Sequence, residues 1–332
     1  MEVIEVSCDL CGGDTSTRFS EGTDYEYQTT DEPFYFRRCD GCGYIYLSPR
    51  PATSELKTIY PSTYYSYVQR ENRGGGGMMG DFRAKYHSRG LREHLGKFVE
   101  GKEKAKVLEV GCGDGRFLDL MRLTFGDAVE TYGIDFDQES IDAASAQGHQ
   151  VQLGTFEESN YPEDFFDIVY ISHVIEHVAS PRQCLEICHS ILKEGGGVCV
   201  ETPNVDCAEA RLFRRRYWGG YHFPRHWHLF TPETLARLAG ECGLTVESIS
   251  FGTSPVFLNW TFHHILWDRR MLRPLSELFS VTGIYKNNLH ALTLLIGFAV
   301  LERVLRLFSG GRGSNMIALL VKKGESKGRG GD

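Results

Sequence analysis

Apolar residues in the middle of this chain come in short runs separated by segments of helical spacing. Runs near 106–110, 131–135, 150–153, 166–171, 197–202 and 245–251 have strand length, and 313–322 supplies a last one. Between them lie stretches such as Arg116-Phe117-Leu118-Asp119-Leu120-Met121, whose pattern is helical. This alternation predicts an α/β fold with a doubly wound sheet. The sharpest local signal is Val107-Leu108-Glu109-Val110-Gly111-Cys112-Gly113-Asp114-Gly115, where a strand hands over to a helix through a glycine-rich turn. About twenty residues later, Tyr132-Gly133-Ile134-Asp135 ends a second strand in a carboxylate able to accept both hydroxyls of a ribose.

Several nucleotide-type cofactors fit such a turn, and its acidic residues separate them. A dinucleotide site wants G-x-G-x-x-G facing a pyrophosphate, whereas here Glu109 precedes the glycines and Asp114 lies among them. Two nearby carboxylates would repel a pyrophosphate but not a sulfonium cofactor carrying an ammonium group. The pattern resembles motif I of class I S-adenosylmethionine-dependent methyltransferases. Phe165-Phe166-Asp167-Ile168-Val169 through Val174-Ile175-Glu176-His177-Val178 is similar to that family's fourth strand and following turn, and Gly195 through Asn204 to its fifth strand. The resemblance implies a Rossmann-like seven-stranded sheet whose last strand runs antiparallel. It further implies a cofactor site formed by Glu109, Gly111, Cys112, Gly113, Asp114, Gly115, Asp135 and Phe136. Ser172 and His173 would line its methionine end. Many relatives place an Asp after the third strand to receive the adenine amino group; Thr155 stands there, so the Phe156 backbone is the expected contact.

The chain has 332 residues, 41% hydrophobic and 24% charged, as expected of a globular protein. A formal net charge of −8 argues against nonspecific nucleic-acid binding, and no specific nucleic acid is expected. The basic run Arg211-Leu212-Phe213-Arg214-Arg215-Arg216 reads as a solvated helix face. No charged-then-apolar segment opens the sequence, so a cytoplasmic location is expected, with the inner membrane face as an alternative. Ten cysteines then need an explanation without disulfides. Cys8-Asp9-Leu10-Cys11-Gly12 and Cys39-Asp40-Gly41-Cys42-Gly43 are two C-x-x-C turns, suited together to one structural zinc on Cys8, Cys11, Cys39 and Cys42.

The expected organisation is a zinc module over 1–50 and a helical linker or lid over 51–104, with a glycine joint at 74–80 and a helix from Phe82 to Phe98. A cofactor-binding domain follows over 105–251 and 313–323, with a disordered tail over 324–332. Tyr60-Pro61-Ser62-Thr63-Tyr64-Tyr65 marks an aromatic turn. The zinc module and this turn together resemble the front end of a bacterial methyltransferase subgroup found among polysaccharide and natural-product pathways. Residues 252–312 form an apolar helical insertion with three readings: a substrate lid or homodimer surface, peripheral membrane contact through 257–308, or a membrane-spanning helix. The last is disfavoured because 289–301 is short and interrupted by His290 and Thr293.

Candidate chemistry beyond the cofactor falls on histidines. His173-x-x-Glu176-His177 and Tyr221-His222-Phe223-Pro224-Arg225-His226-Trp227-His228 resemble, with His173 in place of an acidic ligand, the metal site of methyltransferases acting on catechols or RNA termini. A second divalent metal on Glu176, His177, His226 and His228 is one expectation. The other is that His177, His226 and His228 supply a general base. Glu176 and His177 are equally open to a purely structural role at the start of a helix. The expected function is methylation of a small-molecule, sugar-containing or natural-product acceptor. The alternatives are an RNA or protein methyltransferase and a catalytically idle scaffold.

Overall fold

The computed structural model describes residues 1–65, 88–286 and 288–323. The strands are β1 (Val3–Ile4), β2 (Ser16–Gly22), β3 (Phe34–Cys39), β4 (Ile45–Leu47), β5 (Arg50–Pro51), β6 (Ala105–Val110), β7 (Val129–Asp135), β8 (Gln150–Leu153), β9 (Phe166–Ser172), β10 (Leu192–Pro203), β11 (His228–Leu229), β12 (Leu244–Gly252) and β13 (Asn315–Lys322). Seven of them form one sheet in the order β12-β13-β10-β9-β6-β7-β8. Neighbours from β10 to β8 pair parallel, while β13 lies antiparallel to both β10 and β12. This is the Rossmann-like seven-stranded sheet with its last strand antiparallel that the resemblance implied.

Central strands β6 and β9 are buried along nearly their whole length, as their continuous apolar runs require when helices cover both faces. Val107, Leu108, Phe166, Ile168, Val169, Ile171, Val198, Val200 and Leu320 are fully enclosed. Helices between the strands begin where side chains can take up free amides. Asp137 accepts from Ser140 N at 2.9 Å ahead of Gln138–Ala146, and Ser180 accepts from Gln183 N at 3.1 Å ahead of Pro181–Ile191. At the end of the central strands opposite the glycine turn, buried Asp167 takes the Lys106 amide at 2.8 Å and Lys193 Nζ at 2.9 Å.

A second, four-stranded sheet runs β11-β4-β3-β2. Three of its strands come from the first fifty residues, and the fourth is contributed from 228–229. The cysteine module is therefore stitched to the chain far downstream of it. Asp9 strengthens the seam: its carboxylate accepts Ser180 Oγ at 2.8 Å and Arg182 N at 2.9 Å, at the start of helix Pro181–Ile191. The insertion folds as helices Pro255–Asp268 and Leu289–Arg306 joined by 3-10 turns. Its first helix buries Phe257 and Trp260 against the 218–221 turn. No helix among the described residues is long and apolar enough to cross a membrane. The glycine joint at 74–80, the first residues of the expected lid helix and the tail at 324–332 lie outside the described residues.

The module is pinned to the 219–228 segment by a fully buried ion pair. Arg225 Nη1 and Nη2 donate to Asp24 Oδ1 and Oδ2 at 3.0 and 2.9 Å, while Asp24 also accepts from Tyr27 N, Thr29 N and Thr29 Oγ1. Burial alone would raise the Asp24 pKa, but the Arg225 charge and these donors outweigh it and hold the group below its ordinary value. Because the folded value is depressed, this contribution is present above the ordinary carboxylate range and is lost as pH falls through the folded value. Arg225→Ala should cost about 3–5 kcal/mol in denaturant unfolding at neutral pH, because it strands a buried charge. Asp24→Ala/Arg225→Ala should cost less than the sum of the two single changes. Additive losses would show that the pair is not coupled.

Candidate functional site

Strand β6 carries Glu109 to the edge of the glycine turn. Gly111 N and Cys112 N donate to Ile134 O at 2.8 and 3.1 Å, which closes the turn over β7. Gly111 sits at φ +72°, and a Cβ there would fall 2.6 Å from Val174 Cγ2, so only glycine fits. Gly113, at φ +50°, faces open space and donates its N–H to Asp135 Oδ2 at 2.9 Å. Asp137 N donates to Asp135 Oδ1 at 2.9 Å. Two amides thus aim the Asp135 carboxylate and leave lone pairs for hydroxyl donors.

Glu109 is 8% exposed, and its Oε2 meets no hydrogen-bond donor among the described residues. Burial, then the charges of Asp135 and Asp114, push its pKa well above the usual range. A buried carboxylate oxygen without a donor, beside two more acidic groups, suits a cationic ligand and rejects a pyrophosphate. The site therefore fits S-adenosylmethionine, with its ammonium and sulfonium groups.

The other cofactor candidates divide by where their side chains go. Cys112 points inward, its Sγ against Gly133 and its neighbours Leu118 and Ile141, which leaves only its backbone to the turn. Gly115, at φ +82°, starts helix Arg116–Phe125, and Asp114 lies 3.2 Å from Arg116 Nε. Phe136 is 58% exposed, with its ring 6.3 Å from that of Tyr60. Thr155 Oγ1 donates to Glu158 Oε2 at 3.0 Å, and the Phe156 ring is buried in the core, so a ligand would meet this segment through its backbone. Ser172 Oγ donates to Glu201 Oε2 at 3.1 Å.

Beyond β9 the chain turns through His173, a non-glycine residue at φ +52°. That conformation brings His173 Nδ1 to 3.1 Å from Oε1 of the fully buried Glu176, whose Oε2 accepts from Thr202 Oγ1 at 2.9 Å. Burial would lower the His173 pKa, but the Glu176 hydrogen bond and charge outweigh it and raise the group. His226 Nε2 lies 4.0 Å from the same Glu176 oxygen, and its Nδ1 is 2.8 Å from Gly220 O. His177 packs edge-on to His226 at 4.6 Å, with Nδ1 3.0 Å from Arg225 O and 2.8 Å from Tyr60 Oη. Burial pushes His177 down to about 4 and holds His226 well below its ordinary value, so both rings are neutral near pH 7. With Nδ1–H donated to a carbonyl in each ring, the Nε2 lone pairs are left to act. Glu176, His177 and His226 each offer one ligand atom, all within 4.8 Å of one another.

His228 does not join them. Its Nε2 is held 3.1 Å from Val178 O, its ring stacks on Tyr44 at 5.8 Å, and burial drives its pKa to about 3. The ring belongs to the seam between β11 and the cysteine module, which corrects its expected place among the ligands and bases. His222 packs beside His226 at 5.0 Å, but its own nitrogens are engaged: Nδ1 contacts Glu26 and Nε2 lies 3.3 Å from Tyr64 Oη, while the ring stacks on Trp260 at 5.0 Å.

The four module cysteines converge at the other end of the β3–β4 hairpin. Cys8 Sγ lies 3.4 Å from Cys42 Sγ, Cys11 Sγ 3.5 Å from Cys39 Sγ, and all four sulfurs fall within 4.8 Å of one another. Tetrahedral zinc with bonds of about 2.3 Å needs sulfurs about 3.8 Å apart, so the set fits it. The glycine after each pair, Gly12 at φ +71° and Gly43 at φ +76°, turns the chain back over its own knuckle, with Gly12 N on Cys8 O and Gly43 N on Cys39 O.

Residues 82–249, just over half of the chain, match the family model described as a methyltransferase domain. The chain belongs to this family. Among curated relatives, it is 28% identical over 160 residues to the ubiquinone biosynthesis O-methyltransferase of Thiobacillus denitrificans, covering 44% of this chain and 66% of that one. It is 34% identical to the enzyme of the same name from Pseudomonas syringae pv. tomato, over 43% and 66% of the two chains. A demethylmenaquinone methyltransferase of Lysinibacillus sphaericus is 29% identical over 39% and 58%. The chain spans about half to two thirds of the length of such relatives. Among solved structures, a putative sarcosine dimethylglycine methyltransferase from Galdieria sulphuraria overlays with TM-score 0.48 at 15% identity, over 72% and 86% of the chains. That overlay is too loose to add to what the strand order establishes.

Of the residues gathered here, sequence reasoning assigned no role to Glu26, Tyr60, Tyr64 and His222. Two signals were present: the density of tyrosines in the turn at 60–65, and the place of His222 in the histidine run 221–228. The cysteine geometry generates a direct test. Metal analysis of the purified chain should return about one zinc, and Cys39→Ser should abolish it and lower the thermal midpoint by several degrees. A variant that keeps full stability without metal would remove the structural role.

Proposed function

We propose that this chain transfers the methyl group of S-adenosylmethionine to a hydroxyl of a small, ring-containing acceptor, of the sugar-containing or natural-product kind. The observation that carries this reading is the contact between the two halves of the site. Val174 packs on Gly111, and Tyr60 bridges from the Phe136 ring to His177, so the glycine turn and the histidines lie side by side. Tyr60, Tyr64, Tyr65, His222 and Trp260 form a continuous aromatic cluster beside the histidines. The O-methyltransferase names of the ubiquinone relatives support an oxygen acceptor.

When bound, the cofactor supplies an electrophilic methyl group on a sulfonium. Asp135 would take ribose hydroxyls, and Glu109 would meet the ammonium group. His226 Nε2, neutral and aligned through Gly220 O, would receive the proton of the acceptor hydroxyl as the new C–O bond replaces the C–S bond. The ionised Glu176 would steady the resulting imidazolium. Positioning supplies much of the acceleration in such an in-line displacement.

A second reading assigns Glu176, His177 and His226 to a divalent metal. Both imidazoles are oriented by carbonyls as metal ligands commonly are, and the nitrogen-rich set would favour a transition metal over magnesium. Activity that survives chelation of the histidine site keeps the general-base reading, and activity that needs added metal replaces it.

His226→Ala and His177→Ala should each lower methyl transfer about 100-fold with cofactor affinity nearly unchanged. His228→Ala should mainly lower stability. Turnover would be followed by the mass gain of one methyl on a screened acceptor. Unchanged turnover in both of the first two variants would exclude these histidines from the chemistry.

A further inference from the structure

The second helix of the insertion buries only part of its surface. Ala291, Phe298 and Glu302 turn inward, and Phe298 stacks on Phe262 of helix Pro255–Asp268 at 5.5 Å. On the other side, Leu289, Leu292, Ile296, Val300, Val304 and Leu307 follow one another at steps of three or four residues, which places them on one face. All six are exposed, Leu289 and Leu307 to 79% and Ile296 to 57%. Phe308 extends the stripe at 75% exposure. The preceding segment adds Met271, 94% exposed, with Leu275 and Leu278, and His290 Nε2 lies 2.8 Å from Leu278 O at the helix start. A continuous apolar surface of this kind marks an interaction site.

Charge selects what covers it. Between 269 and 308 the sequence holds Arg269, Arg270, Arg273, Lys286, Arg303 and Arg306 against Glu277 and Glu302, in a chain whose formal net charge is −8. Glu302 faces inward, accepting from Ser254 N at 3.2 Å and Ser314 N at 3.1 Å, so it does not offset the cations at the surface. Arg269, Arg270, Arg273, Lys286 and Arg303 are exposed. A second copy of this chain would bring the same cationic rim against itself across a two-fold contact. A lipid surface with anionic headgroups satisfies both features, taking the leucines and Phe308 into its acyl boundary and the arginines at its phosphates.

We propose that the face formed by Met271, Leu275, Leu278 and the stripe from Leu289 to Phe308 docks the protein on a bilayer rich in anionic lipid. The helix lies in the interface plane and does not span it. The same insertion delivers Trp260 to His222, so the docked element and the packing beside the histidines are one unit.

The test is co-sedimentation of the full chain with vesicles of phosphatidylglycerol and phosphatidylcholine, beside vesicles of phosphatidylcholine alone. It reads the surface whatever the chain catalyses. Binding to the anionic vesicles should exceed binding to the neutral ones at least ~10-fold at low salt and weaken as salt rises. I296E/V300E should abolish it, and R269E/R270E should weaken it at least ~10-fold. All these side chains are exposed, so the thermal midpoint of each variant should match wild type, which separates lost docking from lost folding. The proposal is overturned by absence of wild-type binding at low salt, by equal binding to neutral vesicles, or by a dimer in sedimentation equilibrium that I296E/V300E dissociates.

Discussion

A single buried carboxylate, Glu176, holds the centre of the structure together. Its backbone oxygen accepts Trp227 N at 2.7 Å and His228 N at 3.1 Å, and its side chain takes Thr202 and faces His173 and His226. The turn after β9, the inner end of β10 and the histidine segment therefore converge on one residue. Burial would raise its pKa, yet the His173 hydrogen bond and charge outweigh that and hold it below its ordinary value. A charge enclosed in this way must be met from several sides. Meeting it orders the rings that face the glycine turn.

Around that centre the walls come from parts of the chain far apart in sequence. The cysteine module contributes Asp24 to Arg225, and Glu26 to both His222 and His264. The aromatic turn contributes Tyr60 and Tyr64, and the insertion contributes Trp260. A cysteine knuckle able to hold zinc would stiffen this arrangement. The β3–β4 hairpin that it closes also pairs with β11, next to the histidine segment.

The parts legible in the sequence are those whose signal is local. Strand-length apolar runs gave the parallel sheet, and the glycine turn with Asp135 gave the cofactor loop, because backbone conformation and close approach limit which residues can stand there. Paired C-x-x-C turns gave the thiolate set for the same reason. What stayed hidden depends on contacts between remote segments. Nothing near Glu26 or His222 in sequence reveals that they meet. His226 and His228, two residues apart, look equivalent in an extended reading. The turn closed by His226 N on His222 O and the two amides drawn to Glu176 O send their rings to different places. Cys112 sits in the motif, yet the close approach of Gly133 turns its thiol into the core.

The cofactor loop is shaped for a cationic ligand with a ribose. Isothermal titration of the full chain with S-adenosylmethionine and, separately, with NAD, in wild type and Asp135→Ala, addresses that most directly. Micromolar binding of S-adenosylmethionine alone, lost in the variant, is expected. Binding of NAD, or binding of S-adenosylmethionine that is indifferent to Asp135, would contradict it.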